Sequence, residues 1–403
     1  MLNPRTRFQV ELMETIFQRT CGQRIVPNSS GVLFFRLWGK MLVFNNDFTY
    51  NMPFHIVFLC GSEFHAKNTR DKRIVLKLYI ENNFFNYYSV ILENHFSFGV
   101  TTKRYLAYDD IYLSNLAQVE QLASLFADKI IIIHETISTA AEVGMFAADK
   151  DLTNKICLLV ADAASVEENK TGNFIRLAFL NKSSEETNVK LITYYPDTEV
   201  FRFSENKSDY HTFFHEDQIG KYLGEKIKQF LTIDSEEHTL HLKKAIYGLD
   251  TLTSNNFTYA LRNNKIIVNI PPKALQIQLL SLLYLNEIRK ELRKEKHIRD
   301  HITYLYNQYR TTLHNTIKDF SETNVDSYSL DIVLGNSLCD AKQAIGYFMY
   351  MLQAIGLIRL EQQSNRDLLI RKVVLTVEFD NYKHFFINCV YELGETEFGS
   401  LIK

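Results

Sequence analysis

Glu142 stands near the end of the stretch from Asp128 to Lys150, DKIIIIHETISTAAEVGMFAADK, where a carboxylate could do chemistry. The run Ile130–Ile133 leads into a polar turn, His134-Glu135-Thr136, and then into a helix of small residues. An unbroken apolar run is expected of a strand buried on both faces, as in a parallel sheet. Ligands of open α/β sheets bind beyond the carboxyl ends of such strands. Glu142 therefore falls about one helical turn past that rim. Ala140, Ala141 and Gly144 flank it and would let a substrate come close to the carboxylate. The plain alternative is a solvated helix glutamate.

The elements needed to hold such a residue can be read around it. His55–Gly61 is an apolar strand ending in Gly61-Ser62, the usual form of a first βα turn. Asp71 to Asn83 has helical character, and Tyr105–Asp110 is a second expected strand that ends in two carboxylates, Asp109 and Asp110. Ser114 to Ala127 is helical, with a serine or asparagine cap. After the strand at 129–133 and a helix near 139–148 comes a further strand, Lys155–Ala161, ending at Asp162. Strands alternating with helices of this length imply βαβ units and a Rossmann-like parallel sheet flanked by helices.

The remainder is organised differently. Residues 1–50 form an N-terminal extension, with helical periodicity at Phe8–Gln18 and a strand at 31–38. Residues 51–215 form the α/β domain, with loops at 163–173, 182–190 and 204–211. Residues 216–403 form a helical and winged-helix-like α+β domain. It begins with a helix at 217–230 and continues with an almost unbroken helix over 273–320 that Pro271 and Pro272 would start. Glu287, Glu291, Lys290 and Lys294 suit a helix face laced with charge pairs, with phosphate contacts as the alternative. A helix at 339–352, a strand at 357–361, a polar hairpin at 362–367 and a strand at 368–379 give the outline of a winged helix. Only Lys342 and Gln343 are obvious base readers on that helix, which favours protein docking over sequence recognition.

The totals bound the function. A chain of 403 residues with 46% hydrophobic content can bury two or three cores. A net charge of −2 gives no global footprint for nucleic acid or an anionic membrane. Cys21, Cys60, Cys157, Cys339 and Cys389 are odd in number and far apart, as in a reducing compartment. No CxxC pair or zinc-ligand spacing is present, so no metal is expected. There is no signal-peptide core and no apolar window of about 18 residues. A cytoplasmic protein with no membrane contact is expected. The 29 Phe and 22 Tyr against the single Trp38 favour large aromatic cores or interfaces.

These residues resemble a known family. The order of an apolar strand ending in Cys60-Gly61, then Tyr105-x-x-Tyr108-Asp109-Asp110, a helix, Asp128-Lys-Ile-Ile-Ile-Ile-x-Glu135, Glu142-Val-Gly144-x-Phe146, and Lys-Ile-Cys-Leu-Leu-Val-x-Asp162 is similar to nucleoside deoxyribosyltransferase-like domains. It is most similar to those of retron effectors, which sit beside a reverse transcriptase in bacterial anti-phage systems. The likeness covers roughly residues 53–180, including Asn173–Leu177. His134 and Ser138 replace the proline and glycine of the family turn, and loss of that glycine removes easy access to positive φ and close approach to a phosphate.

The resemblance implies a carboxylate, Glu142, that attacks C1′ of a ribosyl ring while the base departs. Asp109 and Asp110 would supply the second acid, although Asp109 could equally cap the following helix. Gly61 and Ser62 would line the substrate site. Glu135 would orient a hydroxyl, and Ser138 or Thr139 would donate to a phosphate at the helix N-terminus or serve as ordinary caps. No cofactor is implied, because NAD or a (deoxy)nucleotide would be the substrate. Water as acceptor gives an N-glycosidase or NAD hydrolase, and a base as acceptor gives a transferase. The resemblance also implies a toxin held inactive by the retron reverse transcriptase with its msDNA and noncoding RNA. A homo-oligomer or higher-order assembly is left open. The alternatives are a non-catalytic nucleotide-sensing module and a DNA-binding regulator using 338–379.

Overall fold

The chain divides into two units, Met1–Phe44 and Asn45–Lys403. The computed structural model describes residues 49–50, 52–61, 71–95, 111–134, 137–147, 150–161, 191–194, 214–215, 218–233, 238–239, 243–245, 257–334, 340–361, 370–383 and 385–386, all in the second unit. The expected elements at 8–18, 31–38 and 105–110, the loops at 163–173, 182–190 and 204–211, and the hairpin at 362–367 lie outside these residues.

Five parallel strands form the main sheet: β1 (His55–Cys60), β2 (Tyr87–Val90), β3 (Lys129–His134), β4 (Ile156–Ala161) and β5 (Leu191–Tyr194). Their order is β2-β1-β3-β4-β5. The chain steps outward from β1 to β2, returns past β1 to β3, and continues the other way. In such doubly wound sheets the crevice opens outside the carboxyl ends of the two strands where direction reverses, here β1 and β3. The helices between them are α1 (Lys72–Asn83), α2 (Leu92–His95), α3 (Leu116–Phe126), α4 (Ile137–Ala147) and α5 (Lys150–Thr153). Helix α1 starts at Asp71, whose carboxylate accepts from Arg73 N, and α3 starts at Asn115, which accepts from Gln118 N.

The four isoleucines of β3 are all buried because both faces of the sheet are covered. Ile131 and Ile133 pack with Leu76 and Ile80 of α1 and with Leu223, Ile227 and Phe230 of α6 (Lys221–Thr232). Ile130 and Ile132 pack on the other side with Phe126 of α3 and Val143 and Phe146 of α4. Residue types therefore need not alternate along the strand.

The expected helix over 273–320 is broken into α7 (Pro272–Leu283), α8 (Asn286–Leu292) and α9 (Ile298–Phe320). The first break is at Tyr284, whose ring stacks on Phe379 at 4.5 Å and whose hydroxyl donates to the Phe379 carbonyl. The second lies at Arg293–Glu295, where Glu291 pairs with Lys294 at 2.5 Å and also with Lys296. Those charges close a turn instead of lacing a continuous face. Residues 258–334 also contain strands not anticipated above: β6 (Thr258–Arg262), β7 (Lys265–Ile270) and β8 (Ser329–Leu334). Asn263 and Asn264 join β6 to β7 with φ of 51° and 56°, the conformation that a two-residue hairpin needs and asparagine tolerates.

The last part runs through α10 (Ala341–Ala354), β9 (Ile358–Glu361), β10 (Ile370–Leu375) and α11 (Val377–Asp380), with β9 antiparallel to β10. A reciprocal Asp340–Gln343 capping box starts α10, and Gly356, at φ 78°, follows its end. The helix–strand–strand outline is present. Ala341 and all of Ala344–Leu352 are nonetheless buried, so α10 leaves no broad face free for a DNA groove.

One hydrophobic cluster runs through both expected halves, joining Phe126 and Ile130 to residues of α7 and α10 across the boundary placed near residue 215. Phe126 stacks on Tyr347 with centroids 5.9 Å apart. Below the sheet, Lys273 Nζ lies 2.8 Å from Asp128 Oδ1 and donates to Phe126 O at 2.9 Å, while Asp128 Oδ2 accepts from Ile56 N at 2.8 Å. A buried ion pair thus ties the start of α7 to the start of β3.

Candidate functional site

The connections beyond β1, β2 and β3 each send charged side chains to the same rim. Arg73 comes from the first turn of α1, Glu93 from α2 just after β2, Glu120 from the second turn of α3 and Glu142 from the second turn of α4. Arg73 is only 1% exposed. Its Nη1 is 2.8 Å from Glu93 Oε1, and its Nε and Nη2 each lie 3.3 Å from the Asp71 carboxylate. Burial opposes the guanidinium charge, but Glu93 and Asp71 outweigh it and hold the group more firmly protonated than usual. Gly61 makes this possible, because a Cβ there would lie 2.8 Å from Arg73 Cδ. The glycine read above as a simple turn residue is where the arginine stem crosses the end of β1.

Glu142 is half-buried, and its Oε2 is wholly enclosed, with no hydrogen-bond partner among the described residues. Burial, then the charges of Glu120 and Glu93, push its carboxyl up to about 8, against the pull of Arg73. Glu120 is pushed up to about 7 by burial and then by Glu93. The Cys60 thiol, at the end of β1, is held protonated by burial and by Glu142, Glu120 and Glu93. Glu142, Glu120 and Glu93 thus all lie within electrostatic reach of Cys60 at the end of β1. Helix α10 backs it: Tyr350 donates to the Leu92 carbonyl at 3.4 Å, and Tyr347 covers Phe126. Two carboxyl groups titrating near neutrality beside a third that is ion-paired can serve as an acid and a base at the same pH.

Of the residues expected from the sequence, Gly61 and Glu142 are brought to this rim. Ser62, Asp109, Asp110 and Glu135 lie outside the described residues, as does the side chain of Ser138 in the first turn of α4. Thr139 is completely buried, and its hydroxyl meets His134 Nδ1 at 3.2 Å. Burial lowers the His134 pKa and so favours the neutral ring. Sequence reading missed Arg73, Glu93 and Glu120. Two signals were available: an arginine two residues after a capping aspartate, and a glutamate beside the apolar stripe of Val119, Leu122 and Ala123. Among the described residues no cluster of His, Cys, Asp and Glu is arranged to hold a metal ion, and no helix is long and apolar enough to cross a membrane.

Residues 69–362 match the STM3845 retron effector protein family. The chain belongs to this family. The matched span takes in Arg73, Glu93, Glu120, Glu142 and the helix α10 that backs them. No curated protein matches the chain. The retron effector is thus a component of a retron-associated antiviral defence system.

Proposed function

We propose that this retron effector cleaves or transfers the N-glycosidic bond of a nucleotide, NAD or a (deoxy)nucleotide, through Glu142. The observation that carries the reading is the Glu142 carboxyl itself. It lies at the switch-point rim of a parallel sheet and has one oxygen enclosed without a partner among the described residues. Its carboxyl, pushed up to about 8, holds a proton in most molecules at pH 7, and the ionised fraction is the one that attacks. A carboxylate in that position attacks C1′ as the base departs, forming a glycosyl ester. Water then releases the sugar, or a second base accepts it. The sheet order, with its ligand crevice at β1/β3, supports a nucleoside deoxyribosyltransferase-like domain. Membership of a retron effector family supports silencing by the reverse transcriptase–msDNA complex and release on infection.

The test is incubation of the purified effector with NAD and with (deoxy)nucleotides, followed by chromatography of the products. Glu142→Gln should abolish turnover. Turnover that survives this change removes Glu142 from the nucleophile's role, and ligand binding without any product by the wild type supports a sensing module instead.

A further inference from the structure

Resting on that reading, we infer that Tyr112 and Gln343 are positioning residues: helix α10 holds the backbone at Tyr112 and, through it, the placement of the Asp109 and Asp110 carboxylates. Tyr112 has a φ of 65°. Among the described residues the other non-glycine positions with positive φ are Asn86, Asn263 and Asn264, the residue type that tolerates this conformation. A tyrosine there is strained, and such strain persists only where the surroundings over-determine it. They do so here. The Gln343 amide donates to the Tyr112 carbonyl at 3.0 Å. The Tyr112 hydroxyl meets Thr303 Oγ1 at 3.1 Å and donates to the Arg299 carbonyl at 3.3 Å. Lys342 Nζ and the Arg299 guanidinium lie 4.2 Å and 5.3 Å from the ring centre.

The grip extends along α10. Gln343, Gly346 and Tyr350 recur at intervals of three and four, so they share one face of the helix. Gly346 lets the helix come against the Ile111 carbonyl, since a Cβ there would lie 2.6 Å from that oxygen. Tyr350 donates to the Leu92 carbonyl at 3.4 Å. One helix face thus holds two connections that adjoin carboxylates: Leu92 directly precedes Glu93, and Ile111 directly follows Asp110. Consecutive Cα atoms are about 3.8 Å apart across a trans peptide, so anchoring Ile111 and Tyr112 fixes the point from which Asp110 and Asp109 extend. Lys342 and Gln343, the residues of α10 with the chemistry to read a base, are turned to Tyr112 instead.

Three variants of the full-length effector test this, with NAD and a deoxynucleotide as substrates. Tyr112→Asn and Tyr112→Val both remove the ring, but only asparagine accepts positive φ readily. Gln343→Glu can still accept from the Asp340 amide in the capping box, but it cannot donate to the Tyr112 carbonyl. Rates are compared at a temperature where circular dichroism shows each variant folded. Tyr112→Val and Gln343→Glu should lower kcat by about 10- to 10²-fold, the effect of a group displaced by about 1 Å, with KM within about threefold. Tyr112→Asn should rescue the rate to within about fivefold of the wild type. Should Tyr112→Val fail to fold, Gln343→Glu decides. Equal losses in Tyr112→Asn and Tyr112→Val, a rise in KM without a fall in kcat, or an unchanged kcat in Gln343→Glu overturns the positioning role and leaves the glycosidase reading standing. A wild type that releases base from neither substrate overturns that reading, and this inference with it.

Discussion

Replacing Glu142 with glutamine should stabilise the protein in alkali and leave it nearly unchanged in acid. The folded carboxyl titrates near 8 against an ordinary value of 4.5. Its folded pKa is raised, so the native state binds the extra proton between those values. That contribution is fully present below about 4.5 and is lost as pH rises through about 8. At roughly 1.4 kcal/mol per pH unit, ionising Glu142 in place costs at most about 5 kcal/mol. Sharing of the charge cost with Glu120 and entry of water reduce the measurable part to about 2–3 kcal/mol. Glutamine mimics the neutral acid at every pH. Urea unfolding midpoints at pH 4 and pH 9 should therefore coincide within about 0.5 kcal/mol at the lower pH, and favour the variant by about 2–3 kcal/mol at the higher. The same gap at both pH values, or a wild type that grows more stable from pH 6 to 9, would refute the electrostatic description of the site.

Lys273→Ala should destabilise the fold by about 3–5 kcal/mol by leaving Asp128 buried and unpaired, whereas Asp128→Leu with Lys273→Met should recover most of that loss in urea titrations. Asp128 is held below its ordinary value because Lys273, His55 and the Ile56 amide outweigh burial, so this contribution is present above about pH 4 and disappears in acid. Gly61→Ala should cost about 1–3 kcal/mol by crowding the Arg73 stem, and it should reduce turnover more than its melting point suggests. Gly346→Ala would put a Cβ 2.6 Å from the Ile111 carbonyl, a backbone atom that cannot rotate away. Thermal unfolding should show a comparable loss of about 1–3 kcal/mol.

The framework of the site was legible because its signals are local. Ile130–Ile133 could only be a strand covered on both faces, and Asp71 and Asn115 mark helix starts through their own side chains. Glu142 was legible from its distance beyond that strand. The charged groups that act on Glu142 were not, because Arg73, Glu93 and Glu120 are carried to the same rim only through the crossover that inserts β1 between β2 and β3. The short strand Tyr87–Val90 carries little pattern of its own, so Glu93 had no visible element to follow. The breaks in 273–320 are also tertiary. Tyr284 leaves the helix for an aromatic stack with Phe379 and Phe386, residues about a hundred positions away. Nothing local marks Lys273, because its partner Asp128 lies far away in the sequence.

The central claim is a covalent bond between Glu142 and a ribosyl carbon, and acid-quenched digestion with mass spectrometry measures it directly. Wild-type effector turning over NAD or a deoxynucleotide should yield a sugar adduct on the peptide containing Glu142, and Glu142→Gln should yield neither adduct nor free base. An adduct on another side chain, or base release by Glu142→Gln at the wild-type rate, would contradict the account.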